Sequence, residues 1–134
     1  MSWIDDCLAE RKAAEDRDTA IESAAHNIYE ELWEEILRNV AEARKKRIPV
    51  FTNGEPSDRV VGLSDVSSGN QKSIHIKLGR DRHSIVADGI SFNFDVCPDG
   101  VVCIRDKDGI RLSVQDTAIR ILKPFLFPES KTNH

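Results

Sequence analysis

The spacing of apolar residues changes once along the chain, at Pro49. Before it, residues 2–47 contain no Pro and no Gly, and Ile21, Ala25, Ile28, Leu32, Ile36, Val40 and Ala43 fall on one stripe with a period near 3.6. Ser2 followed by Asp5 forms a capping-box-like start. The basic run Arg44-Lys45-Lys46-Arg47 suits the negative end of a helix dipole, and Pro49 blocks continuation. These features predict one long N-terminal helix. Its first turns are different in kind. Trp3, Ile4, Cys7 and Leu8 make a short apolar patch, and residues 9–20 then offer only alanines among charges. Residues 1–18 are therefore expected to form an arm that either folds onto the body or reaches a neighbour.

Tyr29, Trp33 and Leu37 widen the main stripe to about half the helix circumference, whereas a single contact needs a stripe of about 100°. The excess predicts two packing partners. One is the protein's own sheet. The other is residues 3–14 folded back, a C-terminal helix, or the same helix from another subunit. Tyr29, Trp33 and Leu37 are on this basis the candidate oligomer interface, and a homodimer is expected.

After Pro49 the period drops to 2. Candidate strands are 59–66, 73–78, 83–87, 90–96, 101–105 and 110–114, with 49–52 a short extra one. Asp88-Gly89, Asp99-Gly100 and Asp108-Gly109 are hairpin signals, because Gly accepts the positive φ that such turns require. A two-residue turn at 88–89 sets Ala87 opposite Ile90 and Ile85 opposite Phe92. Three-residue loops at 98–100 and 107–109 set Phe94 opposite Ile104, Val96 opposite Val102 and Ile104 opposite Leu112. A four-residue loop at 79–82 sets Ile76 opposite Ile85. All these pairs share one apolar face, and a one-residue slip would break the agreement. Asn53-Gly54 and Ser67-Ser68-Gly69-Asn70 read as turns. Ser113 with Asp116 starts a second helix carrying Ala118, Ile121, Leu122 and Phe125, which Pro124 should end or kink near Lys123. Residues 129–134 are a frayed tail. The expected fold is one α+β domain, 1–134: a long N-terminal helix, a five- to six-stranded antiparallel meander and a short C-terminal helix, with the helices on one face.

Composition narrows the setting. The chain has 134 residues, with 19 Lys+Arg against 23 Asp+Glu and a net charge of −4, as in ordinary soluble globular proteins. No apolar run approaches the ~18 residues that a membrane helix needs, and the first residues lack the pattern of a secretory leader. Three cysteines, Cys7, Cys97 and Cys103, an odd number, favour reduced thiols and a cytoplasmic location. Residues 1–43 hold twelve acids and four bases, the run 44–47 is wholly basic, and the remainder is neutral.

Candidate chemistry is sparse. The sheet face opposite the apolar one collects Asn93, Asp95, Arg105 and Arg111, with Arg105 between Asn93 and Arg111. Two facing arginines repel unless they are solvated, Asp95 lies beside them or an anion bridges them, so these four residues are the candidate site for a small anionic or acidic ligand. Cys97 and Cys103 share that face but are not directly opposite, so a disulfide would distort the backbone. His75 is there too, yet the spacing fits no closed zinc pattern. His26, with Glu22 and Glu30 one turn away on either side, lacks the second Glu-x-x-His copy of a bundle metal site. Arg44, Lys45, Lys46 and Arg47 are the candidate nucleic-acid contact, although the acidic stretch before them would repel a polyanion and no aromatic residue accompanies them. No phosphate loop, nucleophile elbow or triad spacing is present. The sequence thus favours a non-enzymatic interaction or binding module without cofactor or metal, self-associating through the N-terminal helix. A small-anion binding protein or minor enzyme using the polar sheet face is the alternative, and nucleic-acid contact through 44–47 a further one.

Overall fold

The computed structural model describes residues 2–55, 58–64 and 71–128. Helix α1 runs unbroken from Trp3 to Lys45, its start capped by the Ser2 hydroxyl, which accepts the Asp5 N–H at 3.2 Å. Seven strands follow: β1 (Val50–Glu55), β2 (Asp58–Ser64), β3 (Gln71–Leu78), β4 (Ser84–Ala87), β5 (Ile90–Val96), β6 (Val102–Arg105) and β7 (Arg111–Leu112). Helix α2 (Val114–Leu126) closes the chain. The strands form one antiparallel meander in sequence order, so the α+β architecture expected above is present with seven strands instead of five to six.

The end of α1 explains how the chain turns into the sheet. The Arg47 N–H donates to Arg44 O and the Ile48 N–H to Ala43 O, the two bonds of a Schellman motif. Arg47 takes the left-handed position of that motif at φ 65°, where glycine is the unstrained choice. Pro49 follows three residues beyond the Lys46 cap and guards against continuation rather than causing the stop.

Three of the four expected hairpin registers are met: Ala87 faces Ile90, Ile85 faces Phe92, Phe94 faces Ile104, Val96 faces Val102 and Ile104 faces Leu112 across β4 to β7. Asp88 and Gly89 have φ of 37° and 82°, and Gly100 and Gly109 each have φ of 81°, as the turn chemistry requires. The β3–β4 pairing differs. Ile76 faces Ala87 and Leu78 faces Ile85, because the ladder runs on through Gly79, whose N–H donates to Ser84 O at 2.8 Å. The loop is residues 80–83, closed by Arg82 at φ 61°. The shift is two residues, an even number, so every side chain keeps its face.

Asn53-Gly54 is not a turn. Both residues lie within β1, where Asn53 faces Val60 and Gly54 faces Arg59. A Cβ on Gly54 would sit 3.5 Å from the Trp33 indole nitrogen, an ordinary contact distance, so the strand lies directly against the helix there. The 67–70 turn lies outside the described residues, as does the 129–134 tail.

The apolar sheet face, α1 from Ile21 onward and α2 share one core. α1 packs on β1, β3, β5, β6 and α2, so its wide stripe is met by sheet and C-terminal helix together. Tyr29 and Trp33 are buried in this way, while Leu37 is 39% exposed. Residues 3–14 do not fold back; they are the first turns of α1 itself. α2 likewise continues past Lys123, with Pro124 inside its last turn and the Phe127 N–H donating to Lys123 O. A proline so near the end removes only one intrahelical bond.

Arg47→Gly is expected to raise the unfolding free energy by about 1 kcal/mol, the usual penalty for a left-handed non-glycine residue. An unchanged or lower urea midpoint would contradict the Schellman assignment.

Candidate functional site

The polar sheet face is occupied by its own carboxylates. Arg105 Nε donates to Asp95 Oδ2 at 3.0 Å, its NH1 to Gly109 O at 2.8 Å and its NH2 to Cys97 Sγ at 3.5 Å. The other Asp95 oxygen accepts the Val96 N–H. Arg111, paired across β6–β7 with Arg105, donates to Asp99 Oδ2 at 3.2 Å. Each arginine therefore has its own carboxylate, which resolves the expected repulsion without a bridging anion. Asn93 sits opposite Arg105 in the ladder, with its side chain exposed. The four residues do share one face, but an incoming anion would have to displace Asp95.

Cys97 and Cys103 form a disulfide, with Cα atoms 6.4 Å apart. The expectation of reduced thiols is thereby overturned for this pair, and the argument for a reducing, cytoplasmic setting loses its footing. The two residues are diagonal neighbours: Cys97 pairs with Val101 and Cys103 with Asp95. A flat ladder sets diagonal Cα atoms about 7–8 Å apart. Strand twist shortens one diagonal of a hairpin, and the shortened one lies within disulfide range. Both sulfur-bearing residues are buried, and only Cys7 remains a free thiol.

Two arrangements escaped the sequence reading. Arg59 on β2 is 94% buried: its relative exposure is 6%. Its guanidinium lies over the Tyr29 ring at 4.9 Å and the Trp33 ring at 5.5 Å, and NH2 reaches both Glu30 oxygens at 2.7 and 3.0 Å. Its Nε and NH1 have no hydrogen-bond partner, and the aromatic faces beneath stand in for one. The second is Asp106, whose carboxylate accepts the N–H groups of Asp108 and Ile110 and the Arg120 NH1. It ties the β6–β7 loop to α2. The Ile110 N–H, the largest influence, holds the Asp106 carboxyl below its ordinary value against the opposing effect of burial, and Asp108 and Arg120 add to it. The Val101 N–H, with Arg111, does the same for Asp99. Glu22 and Glu30, flanking His26, turn to His83 at 3.5 Å and to Arg59, and His26 is exposed.

The chain's most unusual surface is at the two ends of α1. Every residue from Ser2 to Ala20 is exposed, and the first buried position is Ile21. Eighteen helical residues, about 27 Å at the helical rise, thus leave the body. Near their tip Trp3, Ile4 and Leu8 are 74%, 51% and 53% exposed. Eighteen residues are five helical turns, so Trp3 and Cys7 lie on the same side of the helix as Ile21 and Ala25. The arm's apolar patch therefore continues the direction of the core-facing stripe beyond the body. At the other end, a groove of about 380 Å³ opens between α1 and α2, lined by Ala43, Ile48, Ile119, Leu122, Leu126 and Phe127, with Glu42, Lys46 and Lys123 also on its walls. The basic run is exposed beside it, with Arg44 Nε bonded to Val50 O at 2.9 Å.

The chain matches no family model, no curated protein and no solved structure.

Denatured but unreduced protein is expected to present one titratable thiol per chain, Cys7, and three would contradict the disulfide. Reduction should lower the unfolding free energy by about 2 kcal/mol on the chain-entropy estimate for so short a loop, read from the urea midpoint.

Acid should also weaken the fold through Asp106. Between its depressed folded value and the ordinary carboxylate value near 4, the unfolded chain holds the extra proton. Stability therefore climbs with pH through that window and is fully present above it. Asp106→Asn is expected to flatten this part of the profile in thermal melts from about pH 2 to 6; an unaltered slope would rule the linkage out.

Proposed function

We propose that the chain is a non-enzymatic interaction module that forms a homodimer through its N-terminal helix. The observation that carries this reading is the arm: eighteen residues of α1 that are exposed throughout, tipped by Trp3, Ile4 and Leu8. An apolar patch of that kind on an isolated helix is a contact surface, and a helix without tertiary packing gains little stability by itself. Leu37 adds a further exposed apolar position on the same helix. Tyr29 and Trp33, buried against β1 and β2, contribute by fixing the helix and not by touching a partner.

The polar face supports ligand binding less well, since Arg105 and Arg111 are each neutralised from within. The basic run 44–47 supports nucleic-acid contact less well than it supports an acidic helix, because the rest of α1 is strongly acidic.

Light scattering across a range of concentrations is expected to give twice the chain mass at the upper end. Trp3→Asp combined with Leu8→Asp should weaken association by about 100-fold or more, given about 1.5–3 kcal/mol for each large side chain buried, while the circular dichroism of the body is kept. A monomer at every concentration would defeat the proposal.

A further inference from the structure

We propose that the arm of each copy lies in the groove between α1 and α2 of the other, antiparallel to that copy's α1. This rests on the self-association proposed above and assigns it a surface.

The chemistry of the two surfaces matches. The groove offers apolar walls at Ala43, Ile119, Leu122 and Leu126. The arm offers a helix whose Trp3 and Cys7, and Ile4 and Leu8, are stacked one turn apart, the spacing by which an amphipathic helix fills a groove.

Charge then selects the direction. With Leu8 set beside position 42 of the other copy, an antiparallel arm brings Asp5 alongside Lys45 and Asp6 alongside Arg44. A parallel arm would set Arg11 and Lys12 against Lys45 and Lys46 instead, and like charges brought together at a contact discriminate strongly against it. The antiparallel arrangement also opposes the two helix dipoles.

One helix carries both halves of the contact, the arm at its start and a groove wall at its end. A two-fold axis near the middle of α1 therefore satisfies both grooves with both arms, as an isologous dimer requires. Two such contacts double the area buried, in the direction of the 1,200–2,000 Å² typical of a stable interface.

Native Cys7, exposed on the arm, supplies the test. In this dimer it lies near Ile119 of the other copy. The two Cys7 thiols are about 36 positions apart along the paired helices, or about 54 Å, and each is nearly as far from its own groove. Mild oxidation of Ile119→Cys is expected to give a covalently linked dimer, whereas the unsubstituted chain and Val86→Cys, on the far sheet face, give none. Lys46→Glu with Lys123→Glu should weaken the non-covalent dimer about tenfold, and adding Asp5→Lys with Asp6→Lys should restore it.

A Cys7–Cys7 link in the unsubstituted chain would show that arms pair with arms, and a link through Val86→Cys that they bind the far face. Either overturns the groove while leaving self-association intact. A scattering dimer that neither cross-links at Ile119→Cys nor responds to charge reversal overturns it as well. A monomer at all concentrations overturns the groove and the dimer together.

Discussion

The burial of one face of α1, from Ile21 to Ala43, against a one-sided sheet fixes the position of every other element. An antiparallel meander with one apolar face is incomplete until something covers that face. Here Leu32, Ile36 and Val40 are almost wholly enclosed, each contributing about 1.5–3 kcal/mol by leaving water. Polar contacts then fix the rotation of the helix about its axis. The Tyr29 hydroxyl donates to Ile76 O on β3 at 2.5 Å. Arg59 on β2 lies over Tyr29 and Trp33 and holds Glu30, and Gly54 on β1 lies against the Trp33 indole. Rotation by one position would carry Arg59 away from both rings and leave a buried guanidinium without compensation.

That seam also aims the arm. Because α1 is continuous, the direction of Trp3 and Cys7 is set by the packing of Ile21 and Ala25 five turns away. Residues 9–20 bury nothing; their alanines and charges favour the helix by propensity and i,i+4 pairing. They act as a spacer that holds an apolar tip clear of the body. The same helix ends in a Schellman turn whose two bonds bring Ile48 beside Ala43, and both residues line the groove. A feature that terminates the helix thus helps to form the wall of the surface at its far end.

Legibility in the sequence followed the range of the interactions involved. The Asp-Gly turns are local, and they fixed the pairing of β4 through β7. The β3–β4 loop has no such signal, and its register was missed by two residues; parity alone saved the face assignment. β1 was only partly visible because Asn53-Gly54 resembles a turn by itself, whereas its place in the strand is set by pairing with β2. The Cys97–Cys103 bond depends on strand twist, which ladder arithmetic on a flat sheet omits. Arg59 could not be found from its neighbours in sequence at all, since its partners Tyr29, Glu30 and Trp33 lie about 30 positions away. The candidate arginines were placed correctly on one face, but their value as a site depended on Asp95 and Asp99 reaching them.

The widened stripe on α1 shows how one observation can support two structures. Half a helix circumference of apolar residues requires two partners, and α2 meets that requirement within the chain as well as a second subunit would. What the stripe cannot account for is the separate patch at Trp3, Ile4 and Leu8, lying beyond any element of its own chain. The uneven charge makes the same distinction. Acids spread along α1 and a basic cluster at its end complement each other poorly within one straight helix, whose ends are about 64 Å apart at the helical rise. Turned end for end against a copy of itself, the helix brings its acidic start to a basic end twice over. In the proposed pair the charge pattern thus gains a second use beyond complementing the dipole of the single helix.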